Sequence, residues 1–398
     1  MRSITSSVAR ASARPERSTP SLQQRVSLID VTRGLLFLLM TSAHALALSK
    51  VSADSFWRSA YWLPHGWATV CFILLSGYTM GFLLPWQGHQ DLTRTKLLRC
   101  SRNILIVMFV SNVVFLALQH VADGTQHMLL DWRWWLGLLT FTTPYSISAI
   151  LLPTGVLLLL APQLFALEEA HPHLFPGLVV LVMVGVAWGK MQTASGLQPR
   201  LLTLLLHGDR LGMPFLPLLA YGAFCLAAGR VSRRLPTMRV WLAVMGVTGF
   251  ILLQMLHSLY PQSAVAHVLG TSLLPPTKLA VVMSVSWLLL HMRWQRLTDF
   301  FRLIGFYALF AFVIHRVLLQ TIYIALNVLE LEDTRYQYSL LLTSTMLITF
   351  GLCWWRRRHA EVLRTSARAV ETGPVRRHSE DFVVTRTPAT VGMAELVG

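Results

Sequence analysis

The sequence predicts an all-α fold, a polytopic transmembrane helical bundle of about ten spans with N- and C-termini cytoplasmic. Three observations carry this. The 398 residues are 54% hydrophobic and only 13% charged, with a mean hydropathy of +0.54, outside the range of a soluble domain. Several runs approach or exceed the roughly 18 apolar residues that a helical span requires, and none shows the short alternation of an outer-membrane barrel. The net charge of +16 would suggest nucleic acid in a soluble protein, but its placement argues otherwise. With the N-terminus inside, the inner segments (1–26, 87–102, 168–173, 230–239, 293–302 and 356–398) hold 24 of the 34 Lys and Arg, as the positive-inside rule requires. The expected partner is the lipid bilayer; no nucleic acid is expected.

The spans read as 28–48, 67–86, 97–119, 145–167, 174–190, 214–229, 240–258, 277–292, 303–328 and 337–355. Residues 1–26 form a basic, disordered N-terminal segment, 27–355 the transmembrane domain, and 356–398 a basic, disordered cytoplasmic tail. "SAHA" (42–45) resembles an A-x-A cleavage site, so a signal peptide competes as a reading of the first span. Asp30 and Arg33 inside the apolar run, and nine spans after it, favour an uncleaved helix.

In the second span, Ser76, Gly77 and Tyr78 give a small-residue approach point and a phenol deep in the bundle. The outer loop 120–144 carries Trp132, Trp134 and Trp135, a headgroup-level belt that suits a re-entrant or surface-lying segment. "LEEAHPHL" (167–174) has no Lys or Arg and gives no topological signal. Prolines and glycines in "LLPTGVLLLLAP" (151–162) and "MPFLPLLAYG" (213–222) read as supported kinks. No matching pair of interrupted spans in two halves suggests the broken helices of a transporter. Cys71, Cys100, Cys225 and Cys353 lie in or beside spans without CxxC spacing, which gives neither a disulfide framework nor a zinc site, and no metal is expected.

The polar residues of the first span are arranged. At about 100° per residue, Arg33 and His44 are separated by three turns plus roughly 20°, and Asp30 lies within roughly 60° of Arg33. The stripe from Asp30 to His44 covers about 21 Å at 1.5 Å per residue, most of a hydrocarbon core about 30 Å thick. Singly, Asp30 reads as a helix cap, Arg33 as a snorkelling side chain and His44 as interfacial. Together on one face, they read as groups turned toward a bundle interior, where ionisable residues are functional candidates.

A second constellation lies in the ninth span, where His315 and Arg316 fall near the middle. A charge there costs about 2.5–3.5 kcal/mol on insertion scales, so burial against other helices or a wet cavity is required. A buried hydrogen-bonded histidine with a structural arginine is the bland alternative. Gln320 and Asn327 on the same span are most simply packing glue. His65, at the outer end of the second span, either joins His44 in an outer pocket or is interfacial. Lys278 either attracts an anion or snorkels.

These residues resemble a family. "RGLLFLLMTSAH" (33–44) fits the R-x10-H pattern of the integral-membrane acyltransferase superfamily. That superfamily comprises the acyltransferase-three proteins, the periplasmic-glucan succinyltransferase group and the bacterial relatives of the heparan-α-glucosaminide N-acetyltransferase catalytic domain. "IDVTRG" opening the first span, "FILLSGY" in the second, "PFLPLLAYGAFCLAAGR" (214–230), "LPPTKLAVVMSVSWLLL" in the eighth and "LIGFYALFAFVIH" in the ninth look like marks of the last two groups. The resemblance covers about residues 25 to 355.

The resemblance implies a bacterial inner-membrane enzyme that takes an acyl group from cytoplasmic acyl-CoA (acetyl-CoA or succinyl-CoA) and places it on a polar acceptor, a glycan, at the far side. It implies His44 as the catalytic histidine, Arg33 as its motif partner, and His315 as a further family position. The chain reads "SAH" where many relatives have Asp directly before the histidine, so no orienting carboxylate is implied there.

The chemistry of the residue types is compatible with this. Acyl transfer from a thioester needs a base near neutral pKa or a nucleophile that holds the acyl group, and imidazole serves as either. A tetrahedral oxyanion needs a preorganised donor, for which Arg316, Tyr78 and backbone N–H groups are the candidates. Arg33, toward the cytoplasmic end, is placed to meet an anionic donor. The competing reading is a transporter or flippase whose Asp30, Arg33, His44 and His315 line a substrate path.

Overall fold

The computed structural model describes residues 22–49, 51, 55–58, 63–64, 66–86, 88–139, 148–193, 205–206, 214–235, 238–260, 263–292, 294–329 and 334–371, and among them twelve α-helices of eight residues or more succeed one another. They are α1 (Leu22–Leu48), α2 (Trp67–Leu83), α3 (Gln90–Ala122), α4 (Trp132–Leu139), α5 (Ser148–Ala170), α6 (Leu174–Thr193), α7 (Phe215–Arg234), α8 (Met238–Leu259), α9 (Ala264–His291), α10 (Gln295–Phe306), α11 (Ala308–Val328) and α12 (Thr334–Glu371). No strand occurs among the described residues. Among the described residues eight helices are long and apolar enough to cross a membrane, and shorter apolar helices at Trp67–Leu83 and Leu174–Lys190 match the second and fifth predicted spans. The chain is a multi-pass integral membrane protein. Its outward faces fit lipid: α8 buries no residue and exposes Val240, Trp241, Met245, Ile251 and Leu252.

α1 is the central element, packed against α2, α9, α10, α11 and α12. This explains how a spanning helix accommodates Asp30, Arg33 and His44, because those groups meet protein rather than hydrocarbon. Two seams bring backbones close. α2 and α7 pack along Gly77, Gly81, Gly222 and Gly229; a Cβ on Gly77 would overlap the carbonyl of Gly222, and one on Gly229 that of Tyr78. α1 and α10 cross at Gly34 and Gly305, where a Cβ on Gly305 would overlap the Asp30 carbonyl. Lipid gives helices no hydrophobic reason to associate, so close van der Waals approach over small residues supplies the contact.

The ends of α5, α7 and α3 meet, as alternating crossings require. Glu168, 3% exposed, accepts from Arg230 at 2.8 Å and pairs with Arg234 at 2.6 Å. Glu169 accepts from Trp86 Nε1 and Gln90 Nε2, each at 3.0 Å. The segment that carried no topological signal in the sequence is therefore the acidic clasp of this end of the bundle.

Several boundaries differ from the sequence reading, each for a physical reason. The ninth span is not one helix over 303–328, because the chain breaks at Tyr307. α10, with Arg296, Asp299 and Arg302 exposed and Thr298, Phe301 and Ile304 buried, packs along α1 as a separate helix, and α11 alone has the length and apolarity of a span. Asp30 is not a cap, since α1 begins at Leu22. The tail is helical to Glu371 rather than disordered from Arg356; its residues are good helix formers without Pro or Gly, Arg357 bonds Glu361 at 3.0 Å, and Arg356 lies 4.8 Å over the Phe310 ring. Within the loop that follows α3, residues 132–139 form α4, with Trp134 buried and Trp132 exposed.

The eighth span also starts earlier than predicted, at Ala264, and carries Pro275 and Pro276 in its interior. Pro275 has no N–H for the carbonyl four residues before it, that of Thr271. Tyr221 of α7 donates its hydroxyl to that carbonyl. Tyr221→Phe should therefore lower the thermal unfolding midpoint in detergent, at a cost of about 1–3 kcal/mol for the stranded carbonyl. An unchanged midpoint would mean that water or local adjustment serves the carbonyl equally well.

Candidate functional site

Three of the residues singled out in the sequence meet in the bundle. On α11, Ala308, Leu309, Phe312, His315 and Arg316 share one helical face turned toward α1 and α3. Arg316 Nη1 hydrogen-bonds His44 Nδ1 of α1. The His44 and His315 rings lie 5.4 Å apart, edge to face. His315 is fully buried, and its ring also meets Phe37 at 5.3 Å and Phe312 at 5.6 Å. The Arg316 guanidinium sits 4.5 Å over the Phe115 ring of α3.

Hydrogen-bond logic fixes the protons. A guanidinium only donates, so His44 Nδ1 accepts and its proton is on Nε2. His315 Nδ1 lies 3.3 Å from the Ala311 carbonyl, which only accepts, so His315 carries its proton on Nδ1. His315 Nε2 and Arg316 Nε are buried without a hydrogen-bond partner, as is Thr41 Oγ1 one turn before His44. Among the described residues no carboxylate lies within 4.0 Å of Arg316. Among the described residues this cation is held by an aromatic face and an imidazole lone pair, an arrangement that favours a negative or strongly polar atom beside it.

Arg33 occupies a different level of α1, about 17 Å from His44 at 1.5 Å per residue. It forms an ion pair with Asp30 at 3.6 Å, and Asp30 is 5% exposed. Arg33 lines a cavity of about 160 Å³ between α1, α2, α3, α5 and α11, together with Lys96, Ser76, Thr79, Cys100, Thr154 and Phe312. Ser76, Thr79 and Thr154 give their hydroxyl protons to the carbonyls of Phe72, Leu75 and Ile150, so they present lone pairs to the cavity while the two cations present charge. His44 and His315 are not in the wall of this cavity. Phe312 separates His315 from it, with its side chain in the cavity wall and its ring against His315.

The other sequence candidates are placed as follows. Tyr78 stacks on Phe82 at 5.6 Å in the α2–α7 seam and is not in the cavity wall. Lys278 lies 5.4 Å over the Trp67 ring. His65 lies outside the described residues. Sequence reasoning missed Lys96, which was counted with the topological charge, and Phe312 and Thr41, which are ordinary span residues until α1 and α11 are put side by side. The i, i+3, i+4 spacing of Phe312, His315 and Arg316 was the available signal. No family model, curated protein or solved structure matches this chain.

Proposed function

We propose that the protein is an inner-membrane O- or N-acyltransferase. It takes an acetyl or succinyl group from cytoplasmic acyl-CoA and transfers it to a hydroxyl or amine of a polar acceptor, a glycan, at the periplasmic side. The observation that carries this reading is the convergence of half-buried His44 and Arg316 on fully buried His315, one aromatic ring away from a cavity with two cations. Two imidazoles and a guanidinium supply a proton acceptor, a proton donor and a fixed charge in low dielectric, which are the parts that addition to a thioester carbonyl uses. The cavity's roughly 160 Å³ suits the thioester arm of the donor rather than its nucleotide. On this reading the nucleotide phosphates stay at the membrane surface near Lys96, and Arg33 meets the arm below Phe312.

The test is release of CoA thiol by the purified full-length protein from acetyl-CoA or succinyl-CoA, with gluco-oligosaccharides or glucosamine as acceptor. His44→Ala should abolish turnover; Arg33→Ala and Lys96→Ala should chiefly raise the donor KM. Unchanged turnover in all three variants would remove the assignment. Movement of a polar solute across vesicles without CoA consumption, lost in the same variants, would establish transport instead.

A further inference from the structure

The two histidines are not equivalent, and their hydrogen bonds divide the work. We infer that His315, through its unpartnered Nε2, is the proton-accepting base, and that His44 is a hydrogen-bond donor held in that state by Arg316. This deepens the acyltransferase reading and rests on it.

Only one nitrogen of a neutral imidazole has a lone pair. In His44 that nitrogen is Nδ1, and it is occupied by the Arg316 guanidinium. Taking a proton there would set an imidazolium N–H against a guanidinium N–H. His44 can thus offer Nε2–H, but it cannot act as a base while Arg316 holds it. In His315 the proton is committed to the Ala311 carbonyl at 3.3 Å, which leaves Nε2 with a free lone pair in a fully buried ring. A buried acceptor without a donor waits for a ligand hydroxyl or amine. The ring beside it, 5.4 Å away, belongs to the residue that donates, and Arg316, next in sequence, supplies the charge.

The step balances as follows. The acceptor hydroxyl gives its proton to His315 Nε2 as its oxygen bonds to the thioester carbonyl carbon. The carbonyl electron pair moves to oxygen, and the resulting oxyanion is held by His44 Nε2–H, the donor tautomer that the Arg316 bond to Nδ1 fixes. The carbonyl re-forms, the C–S bond breaks, and the CoA thiolate recovers the proton from His315 Nε2–H. Ester and thiol are the products, and both histidines end as they began.

The assignment is tested without turnover by ¹⁵N NMR of the full-length wild-type protein, histidine-labelled in nanodiscs, with the two signals identified by loss in His44→Gln and His315→Gln. His315 should show a protonated Nδ1 and bare Nε2, and His44 the reverse. A proton on His315 Nε2, or a bare His44 Nε2, would overturn the proposal. Kinetics supply the second arm, because an asparagine amide can donate a hydrogen bond but cannot act as a base. His315→Asn should lower kcat by about 10²–10⁴-fold, whereas His44→Asn should recover most of the turnover lost in His44→Ala. Equal damage from Asn and Ala at position 44, with His315→Asn near wild type, would return the base to His44. Predicted tautomers without any acyl transfer would sink the functional reading and leave the nitrogen assignment standing.

Discussion

Arg316→Ala should lower kcat for acyl transfer by about 10²–10³-fold, the usual cost of losing one preorganised donor to a developing oxyanion, here the His44 Nε2–H that Arg316 fixes, while leaving the unfolding midpoint unchanged or raised. The two halves of this expectation come from one feature. Arg316 is a cation inside the bundle with no carboxylate within 4.0 Å among the described residues, and with Phe115 and the His44 lone pair as its company. Keeping such a charge out of water costs free energy on the order of 2.5–3.5 kcal/mol at a helix centre, so its removal should not weaken the fold. Removal also frees His44 Nδ1, and the ring is no longer held as an Nε2–H donor. Arg316→Lys should recover part of the activity, because an ammonium supplies charge but lacks the planar fork that reaches His44 and a ligand together. Kinetics and thermal unfolding on the same preparations decide the matter. A lower midpoint with full turnover in the folded fraction would make Arg316 a packing residue.

The sequence carried the class of the fold because composition and hydropathy are sums over many residues, and no local detail reverses them. It also carried the polar stripe, since helical period alone places Arg33 and His44 on one side of a helix. What it could not carry is pairing between distant elements. Arg33 was paired with His44 because they share a helix and a motif, yet the residue that reaches His44 is Arg316, 272 positions away in sequence. Lys96 was invisible for the same reason: its charge was explained by topology, and only the packing of α3 against α5 and α11 puts it in a cavity wall. The break at Tyr307 is a third case. The apolar run 303–328 has ample length for one span, but the chain uses its first residues to end α10, which packs along α1.

The contact of α10 with α1 leads to the other large effect expected. Gly305→Ala should destabilise the protein by about 1–3 kcal/mol, as overpacking does, and should lower turnover in the folded fraction by up to about 10²-fold, the cost of a shift of roughly 1 Å in reacting groups. The new methyl would overlap the Asp30 carbonyl, and the opposing Gly34 is equally constrained by the Phe301 carbonyl, so neither backbone has room to yield. α10 must move off α1. Because Tyr307 alone joins α10 to α11, that movement passes to His315 and Arg316 and draws them from His44, which remains on α1. Gly177, with nothing within 4 Å of its Cβ position, provides the control, and Gly177→Ala should leave both stability and turnover as they are. The double variant Gly34→Ala/Gly305→Ala should cost less than the sum of the single ones, because helices already separated by one methyl accommodate the second. Additive costs, measured by unfolding of all four proteins, would show that the two glycines act independently and that α10 is not positioned by this crossing.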